Sequence, residues 1–192
     1  MIRARRGGFK KTKRLYVIST EGAETEPIYF QEFRPSRESS FRLKILGNPT
    51  HKAHPLEVVK RLIEYERRER PGRNTEYWAI VDRNAWPELD LCAAYELANA
   101  RPRFHIAMSN PCFELWLWLH LRPNRPFNDR HDCQRQLERE WFQFSKSRYP
   151  AADLMQEVLK ACNRAEAITN PRSGILRSQG TQVFVLVQAL LL

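Results

Sequence analysis

Residues 15–22 read LYVISTEG, and this stretch decides the fold prediction. Six residues rich in β-branched and aromatic side chains are followed at once by Glu21-Gly22, which is typical of a buried strand that ends in a loop. Apolar or alternating runs of similar length recur at residues 41–45, 77–81 and 104–108. The sequence therefore predicts four short strands in the first two thirds of the chain.

Each predicted strand is followed by a segment with helical spacing of its apolar residues, at about 25–33, 55–70, 88–100 and 112–121. Strands that alternate with helices predict an α/β fold with a mainly parallel sheet of about four strands and helices on both faces. Further helices are predicted at about 134–147 and 153–169, which makes the C-terminal third helical. The apolar residues 183–192 fit either a strand or a buried helix.

The chain has 192 residues and a formal charge of +10, from 32 Lys and Arg against 22 Asp and Glu. Seven of these cations fall within residues 1–14, so we predict a basic flexible arm there and a single domain over 15–192. Two interpretations of the arm stay open, namely contact with phosphate backbones and a solvated tail that aids solubility. If the arm contacts phosphate backbones, Lys13 and Arg14 bind substrate phosphate. The partner is then nucleic acid, either DNA or RNA.

The composition excludes several classes of protein. A hydrophobic content of 42% excludes wholesale disorder, and the longest apolar stretch, 183–192, is too short to span a bilayer. The basic first residues are not expected to act as a secretory signal, and the four scattered cysteines form no zinc motif or disulfide framework. We therefore expect a cytoplasmic protein with reduced thiols and no membrane partner.

Polar residues follow three of the predicted strands: Glu21-Gly22, residues 82–84 (DRN) and Ser109-Asn110. The carboxyl ends of parallel strands meet in one crevice, where carboxylates from separate strands suit Mg²⁺ or Mn²⁺. Gly22 would permit a tight turn and let a phosphate approach the backbone. The alternative is that Glu21 and Asp82 only cap the helices that follow.

Three strings in order, EGAETEPIYF at 21–30, DRN at 82–84 and SNPCFELW at 109–116 followed by His120, resemble the RloB-like family. The resemblance implies a Toprim-like fold and a magnesium-dependent nuclease or phosphodiesterase from prokaryotic defence or restriction-associated loci. It also implies an ABC-type ATPase partner. The chain itself has no Walker loop, so it is not expected to hydrolyse ATP.

By this resemblance, Glu21 is a general acid/base or metal ligand and Asp82 the principal metal ligand. Asn84 stands where the family has a second aspartate, which removes one anionic ligand and favours either a metal held by fewer charges or a site that binds without cutting. Arg83 fits a contact with substrate phosphate or a salt bridge across its loop equally well.

Three further residues are expected to lie next to the metal ligands without coordinating the metal themselves. Glu26 and Glu114 could reach the crevice, although a favourable charge in the first helical turn explains each of them as simply. Asn110 fits a helix cap better than a ligand. We expect core packing for Trp116, Trp118 and His120, and a solvated surface for Asp129, His131 and Asp132.

Three functions follow as hypotheses. The first is a metal-dependent nuclease, a hydrolase that acts on nucleic acid. The second is a nucleic-acid-binding module without turnover. The third is a subunit that docks an ATPase through residues 183–192, and each of the three allows a homo-oligomer.

Overall fold

The computed structural model describes residues 13–48, 54–83, 86–171 and 174–192. The strands are β1 (Arg14–Thr20), β2 (Phe41–Leu46), β3 (Thr75–Asp82), β4 (Phe104–Asn110) and β5 (Gly180–Thr181). The helices are α1 (Thr25–Gln31), α2 (Pro55–Glu69), α3 (Glu88–Asn99), α4 (Glu114–Leu121), α5 (Arg130–Glu140), α6 (Ala151–Leu154), α7 (Val158–Ile168) and α8 (Val183–Leu191). A 3-10 turn, Met155–Glu157, joins α6 to α7.

The strands form one five-stranded sheet in the order β2-β1-β3-β4-β5. The first four strands are parallel to their neighbours, and β5 pairs antiparallel with the end of β4. The predicted α/β fold with a mainly parallel sheet is confirmed. The fifth strand, Gly180–Thr181, is not predicted from the sequence, because two residues are too few to show a strand period.

Helices cover both faces of the sheet, as predicted. Side chains alternate along β1, so Tyr16 and Ile18 face one core cluster while Leu15 and Val17 face the other. The first cluster is covered by α1, α4, α5, α7 and α8, and the second by α2 and α3. The sheet is therefore the middle layer of three.

The chain reverses direction across the sheet between β1 and β3. From β1 it crosses through α1 to β2 at one edge, and then through α2 back to β3 on the other side of β1. Helices α1 and α3 leave the ends of these two neighbouring strands toward opposite faces. A crevice opens at such a switch point, outside the carboxyl ends of the strands, and ligands commonly bind there.

The C-terminal third is helical, but its boundaries differ from the prediction. Helix α5 begins at Arg130, four residues before the predicted start at about 134, because Asp129 accepts a hydrogen bond from the Asp132 amide at 2.8 Å and caps the helix. It ends at Glu140, seven residues early. The predicted helix 153–169 is instead α6, the 3-10 turn and α7.

Residues 183–191 form helix α8, which settles the choice left open by the sequence. Its apolar side chains belong to the chain's own core: Val183, Phe184, Leu186, Val187 and Leu190 are all buried. The expectation that this segment offers an apolar docking surface is therefore wrong for most of its residues. Only Leu191 and Leu192 expose a large part of their side chains.

The hydroxyl of Thr25, the first residue of α1, donates to the Lys146 carbonyl at 3.0 Å. The helix cap predicted at Asn110 is wrong. Asn110 is the last residue of β4, and α4 begins only at Glu114 without a side-chain cap. The predicted core position of Trp116, Trp118 and His120 is confirmed, since each is at most 5% exposed.

The four cysteines are free thiols, three of them buried, as predicted. Among the described residues, no helix combines the length and the apolar character that a membrane crossing requires.

Candidate functional site

Glu21 and Asp82 meet at the carboxyl ends of β1 and β3. Thr20 of β1 is in register with Ile80 of β3, so the next residue, Glu21, lies level with Val81, one residue before Asp82. The Asp82 amide donates to Glu21 Oε2 at 3.1 Å, and the Trp86 indole donates to Glu21 Oε1 at 3.0 Å. The two acidic residues, 61 positions apart in the chain, are thus direct neighbours.

Asp82 faces the beginning of α4. Its Oδ1 accepts a hydrogen bond from the Phe113 amide at 2.9 Å, just before the first residue of that helix. No described residue donates a hydrogen bond to its second oxygen, Oδ2. One carboxylate oxygen is therefore anchored to the fold while the other keeps its coordinating capacity.

Glu26 is a buried carboxylate of the same site, although it lies in the first turn of α1. Its side chain turns back and accepts a hydrogen bond from the Gly22 amide at 2.8 Å. A Cβ atom at position 22 would lie 2.9 Å from Glu26 Cδ and would collide with Oε2. Gly22 does not adopt a positive φ, so the predicted tight turn is not why it is glycine. The missing side chain makes room for the Glu26 carboxylate.

Glu114 brings a fourth carboxylate to the site from the first turn of α4. It is 4% exposed, and its Oε1 accepts a hydrogen bond from Gln134 of α5 at 3.1 Å. The same oxygen lies 3.5 Å from the Lys146 ammonium. The C-terminal third therefore contributes directly to a site that begins at the first strand.

These residues line a cavity of about 350 Å³ at the switch point. Five carboxylates (Glu21, Glu24, Glu26, Asp82 and Glu114) and two cations (Arg130 and Lys146) surround it. The acidic charge exceeds the basic charge by three if all groups are ionised. Such an excess in a partly buried space is costly unless protons or a cation offset it.

Burial is the main reason that three of these carboxyls resist ionisation. It raises the pKa of Glu21 to about 7, against the hydrogen bonds from Asp82 and Trp86 and the charge of Arg130, which lower it. Burial and the charges of Glu21, Glu114 and Glu26 hold the pKa of Asp82 well above its ordinary value. Burial likewise raises the pKa of Glu26. The site therefore favours any species that supplies positive charge.

The donor chemistry fits a hard divalent cation, since carboxylate oxygens are the ligands that Mg²⁺ takes. Within the described ranges, however, no three His, Cys, Asp or Glu side chains form a ready-made metal site. Mg²⁺ is commonly held by only one or two carboxylates together with water, so Glu21 and Asp82 are a sufficient protein contribution. Asn84, the third predicted ligand, lies outside the described residues.

Two other predicted site residues face away from the cavity. Arg83 donates from Nη1 to the Trp86 carbonyl at 3.1 Å and lies 4.0 Å from Glu88, so it holds its own loop together. Asn110 donates to the carbonyls of Leu176 and Ser178 at 3.1 and 3.0 Å. Neither residue lines the acidic cavity.

Lys13 and Arg14 lie at the opposite end of the sheet. Arg14 is the first residue of β1 and pairs with Glu76 at 3.1 Å, whereas Glu21 follows the last residue of that strand. Seven residues of extended chain span roughly 20 Å. Lys13 donates to the Arg37 carbonyl at 2.6 Å. Lys13 and Arg14 therefore do not line the acidic cavity, and their binding of phosphate stays a prediction. Residues 1–12 of the predicted arm lie outside the described residues.

Sequence reasoning missed three residues of the site. Trp86 follows a polar loop, and no spacing rule links its indole to Glu21. Arg130 precedes the predicted helix 134–147 and Lys146 lies near the end of that helix, and both are far in sequence from any strand end. The only indication of Arg130 in the sequence was that a basic residue stands close to the start of a predicted helix.

Comparison with known proteins adds one finding. A family model described as "RloB-like protein" matches residues 16–190, which is most of the chain. No curated protein and no solved structure gives a significant match. The matched region includes both acidic strand ends and the C-terminal segments that complete the cavity. The chain therefore belongs to the RloB-like protein family.

Proposed function

We propose that this protein is a divalent-metal-dependent nuclease or phosphodiesterase with a Toprim-like arrangement of its acidic residues. The observation that carries the proposal is the contact between the Asp82 amide and Glu21 Oε2 at 3.1 Å, which brings two strand-end carboxyls into one cavity. Magnesium or manganese, held by Glu21 and Asp82, would supply Lewis-acid activation of a phosphate ester and of the attacking water.

The residues of the chain have separate tasks in this proposal. The Phe113 amide fixes Asp82, and the Trp86 indole and the Asp82 amide fix both oxygens of Glu21. Burial raises the pKa of Glu21 to about 7 in the metal-free site, so the carboxyl can exchange a proton near neutral pH there, whereas a bound cation would favour its ionised, metal-binding form. The buried Glu26 and Glu114 keep the surroundings acidic.

The direct test is hydrolysis by the purified protein of single-stranded DNA, double-stranded DNA and RNA, with Mg²⁺, with Mn²⁺ and with a chelator. We expect metal-dependent cleavage that falls by about 100-fold or more in Glu21→Gln and Asp82→Asn, since each loses a group that acts on the reacting phosphate. Glu138→Gln, an exposed glutamate of α5, is the matched control and should keep full activity. Cleavage that survives both site substitutions would remove the cavity from the mechanism.

A second candidate function is a binding module without turnover. It is favoured by the lack of a three-residue metal set within the described ranges and by Asn84 in the sequence. A protein with this function would bind nucleic acid without metal, and its affinity would fall steeply as the salt concentration rises. Deletion of residues 1–12 would weaken that binding. Binding to nucleic acid without cleavage under any metal condition would support it over the nuclease.

A role in prokaryotic defence with an ABC-type ATPase partner belongs to the same proposal and rests on family membership alone. The test is co-expression with an ABC-type ATPase from the same genome, followed by co-purification. Because α8 is buried in the core, the contact is expected elsewhere than at residues 183–190.

A further inference from the structure

Two cations from the C-terminal third stand in an otherwise acidic cavity. Arg130, the first residue of α5, is half-buried and lines the cavity, where its charge acts on Glu21. Among the described residues, none forms a hydrogen bond or ion pair with its guanidinium group. The five N–H donors of this group are therefore available to a ligand that enters the cavity.

Lys146 reaches the cavity from a loop that is tied to the first turn of α1. The Thr25 hydroxyl donates to the Lys146 carbonyl at 3.0 Å, and the Tyr149 hydroxyl donates to the Thr25 carbonyl at 2.6 Å. The loop is closed on itself by the bridge between Ser145 and Arg148. Its backbone is thus fixed beside the site, although the Lys146 side chain is 56% exposed.

The ion pair of Lys146 with Glu114 is easily exchanged. The two groups lie 3.5 Å apart, and an ion pair with such an exposed partner contributes little to stability. Gln134 donates to the same Glu114 oxygen at 3.1 Å, so Glu114 keeps a partner if the ammonium moves. Lys146 can therefore turn toward an anion without leaving a buried acceptor unsatisfied.

A phosphate that approaches five carboxylates is repelled unless cations meet it. A guanidinium group offers a flat pair of donors that matches two phosphate oxygens, and an ammonium group adds a mobile point charge. We propose that Arg130 and Lys146 form a phosphate-binding subsite that seats a phosphate of a nucleotide chain against Glu21 and Asp82. The reaction at that phosphate rests on the proposed function, whereas the binding does not.

The test is binding of thymidine 3′,5′-bisphosphate, a probe too small to contact Lys13 or Arg14 and the cavity together. Full-length protein is titrated with Mg²⁺ and, separately, with a chelator, while the side-chain Nε–H resonances of arginine are followed by NMR. Removal of a charge-assisted hydrogen-bonding group predicts about tenfold weaker binding by Arg130→Met and a smaller loss by Lys146→Met. Arg130→Lys should recover part of the affinity, because it keeps the charge but not the paired donors.

The matched controls are Arg135→Met on the same helix, whose side chain is 59% exposed and pairs with Asp132, and Lys160→Met, whose side chain is 65% exposed and pairs with Glu157. Both should bind the probe as the unaltered protein does. No binding by the unaltered protein, or equal losses in Arg130→Met and Arg135→Met, would overturn the subsite. Binding that depends on Arg130, without any nuclease activity, would support the subsite and refute the proposed function. Cleavage by the unaltered protein, together with unchanged probe binding by Arg130→Met, would support the proposed function and refute the subsite.

Discussion

The Glu21 carboxyl should make the metal-free protein less stable as pH rises. Its pKa is about 7 in the folded chain, against an ordinary value of 4.5, because burial disfavours the charged form. Folding therefore favours the protonated acid. Its contribution to stability is fully present below about pH 4.5 and is lost as pH rises through about 7.

The size of this effect follows from the two pKa values. The rise from 4.5 to about 7 corresponds to about 3 kcal/mol over the whole range. Between about pH 5 and about pH 8, linkage gives a loss of roughly 2 to 3 kcal/mol from the Glu21 carboxyl. Glu21→Gln has no carboxyl to titrate at this position, so its free energy of unfolding should fall by roughly 2 to 3 kcal/mol less than that of the unaltered protein over that interval.

The assay is denaturant unfolding of the metal-free protein and the variant at the two pH values, with Glu138→Gln as the exposed control. The control should show the same pH dependence as the unaltered protein, because its side chain stays in water in both states. Added Mg²⁺ should stabilise the unaltered protein at about pH 8 and have less effect on Glu21→Gln. If Glu21→Gln keeps the full pH dependence, Glu21 is not the buried, proton-binding group described above.

Two further substitutions probe how the site is held. Gly22→Ala should destabilise the protein by about 1 to 3 kcal/mol, measured by denaturant unfolding, since its Cβ displaces the buried Glu26 carboxylate. Trp86→Phe removes the indole donor from the Glu21 carboxylate and should raise the pKa of Glu21 further by about one unit, measured by NMR titration of carbon-13-labelled carboxyls.

Both substitutions have a matched control in the same chain. A Cβ at Gly47 meets no atom within 4 Å, so Gly47→Ala should leave stability nearly unchanged. Trp118 donates from its indole to the Pro123 carbonyl, away from the acidic cavity, so Trp118→Phe should leave the pKa of Glu21 unchanged. Equal effects of a substitution and its control would mean that the contact at the site is not the cause.

The sequence could predict that Glu21 and Asp82 lie close to each other, because their closeness depends only on the topology of the sheet. Each residue stands where an apolar run ends, and parallel strands bring such ends to one edge of the sheet. The sequence could not show that β1 and β3 are direct neighbours, since that depends on which side of β1 each crossover returns. With that order given, the register of Thr20 with Ile80 places the two carboxyls together.

Residues that depend on side-chain direction escaped prediction. Glu26 fits the first turn of a helix, where an acidic residue is common, and nothing in the spacing shows that its carboxylate turns back to the Gly22 amide. Asn110 fits a cap just as well, yet β4 continues through it and the helix begins four residues later. The basic residues Lys13 and Arg14 were assigned by charge alone, and charge carries no information about which end of the sheet a residue occupies.

The cations of the cavity escaped prediction for a different reason, which also explains why the site needs most of the chain. The sequence predicts a helix over about 134–147, whereas α5 ends at Glu140 and residues 141–150 form a loop that leads to α6. Three aromatic side chains of this segment, Trp141, Phe144 and Tyr149, are buried against one another and bind the loop to the core. Because these rings fix the backbone on either side of Lys146, the loop carries the ammonium group to the acidic cavity without regular secondary structure.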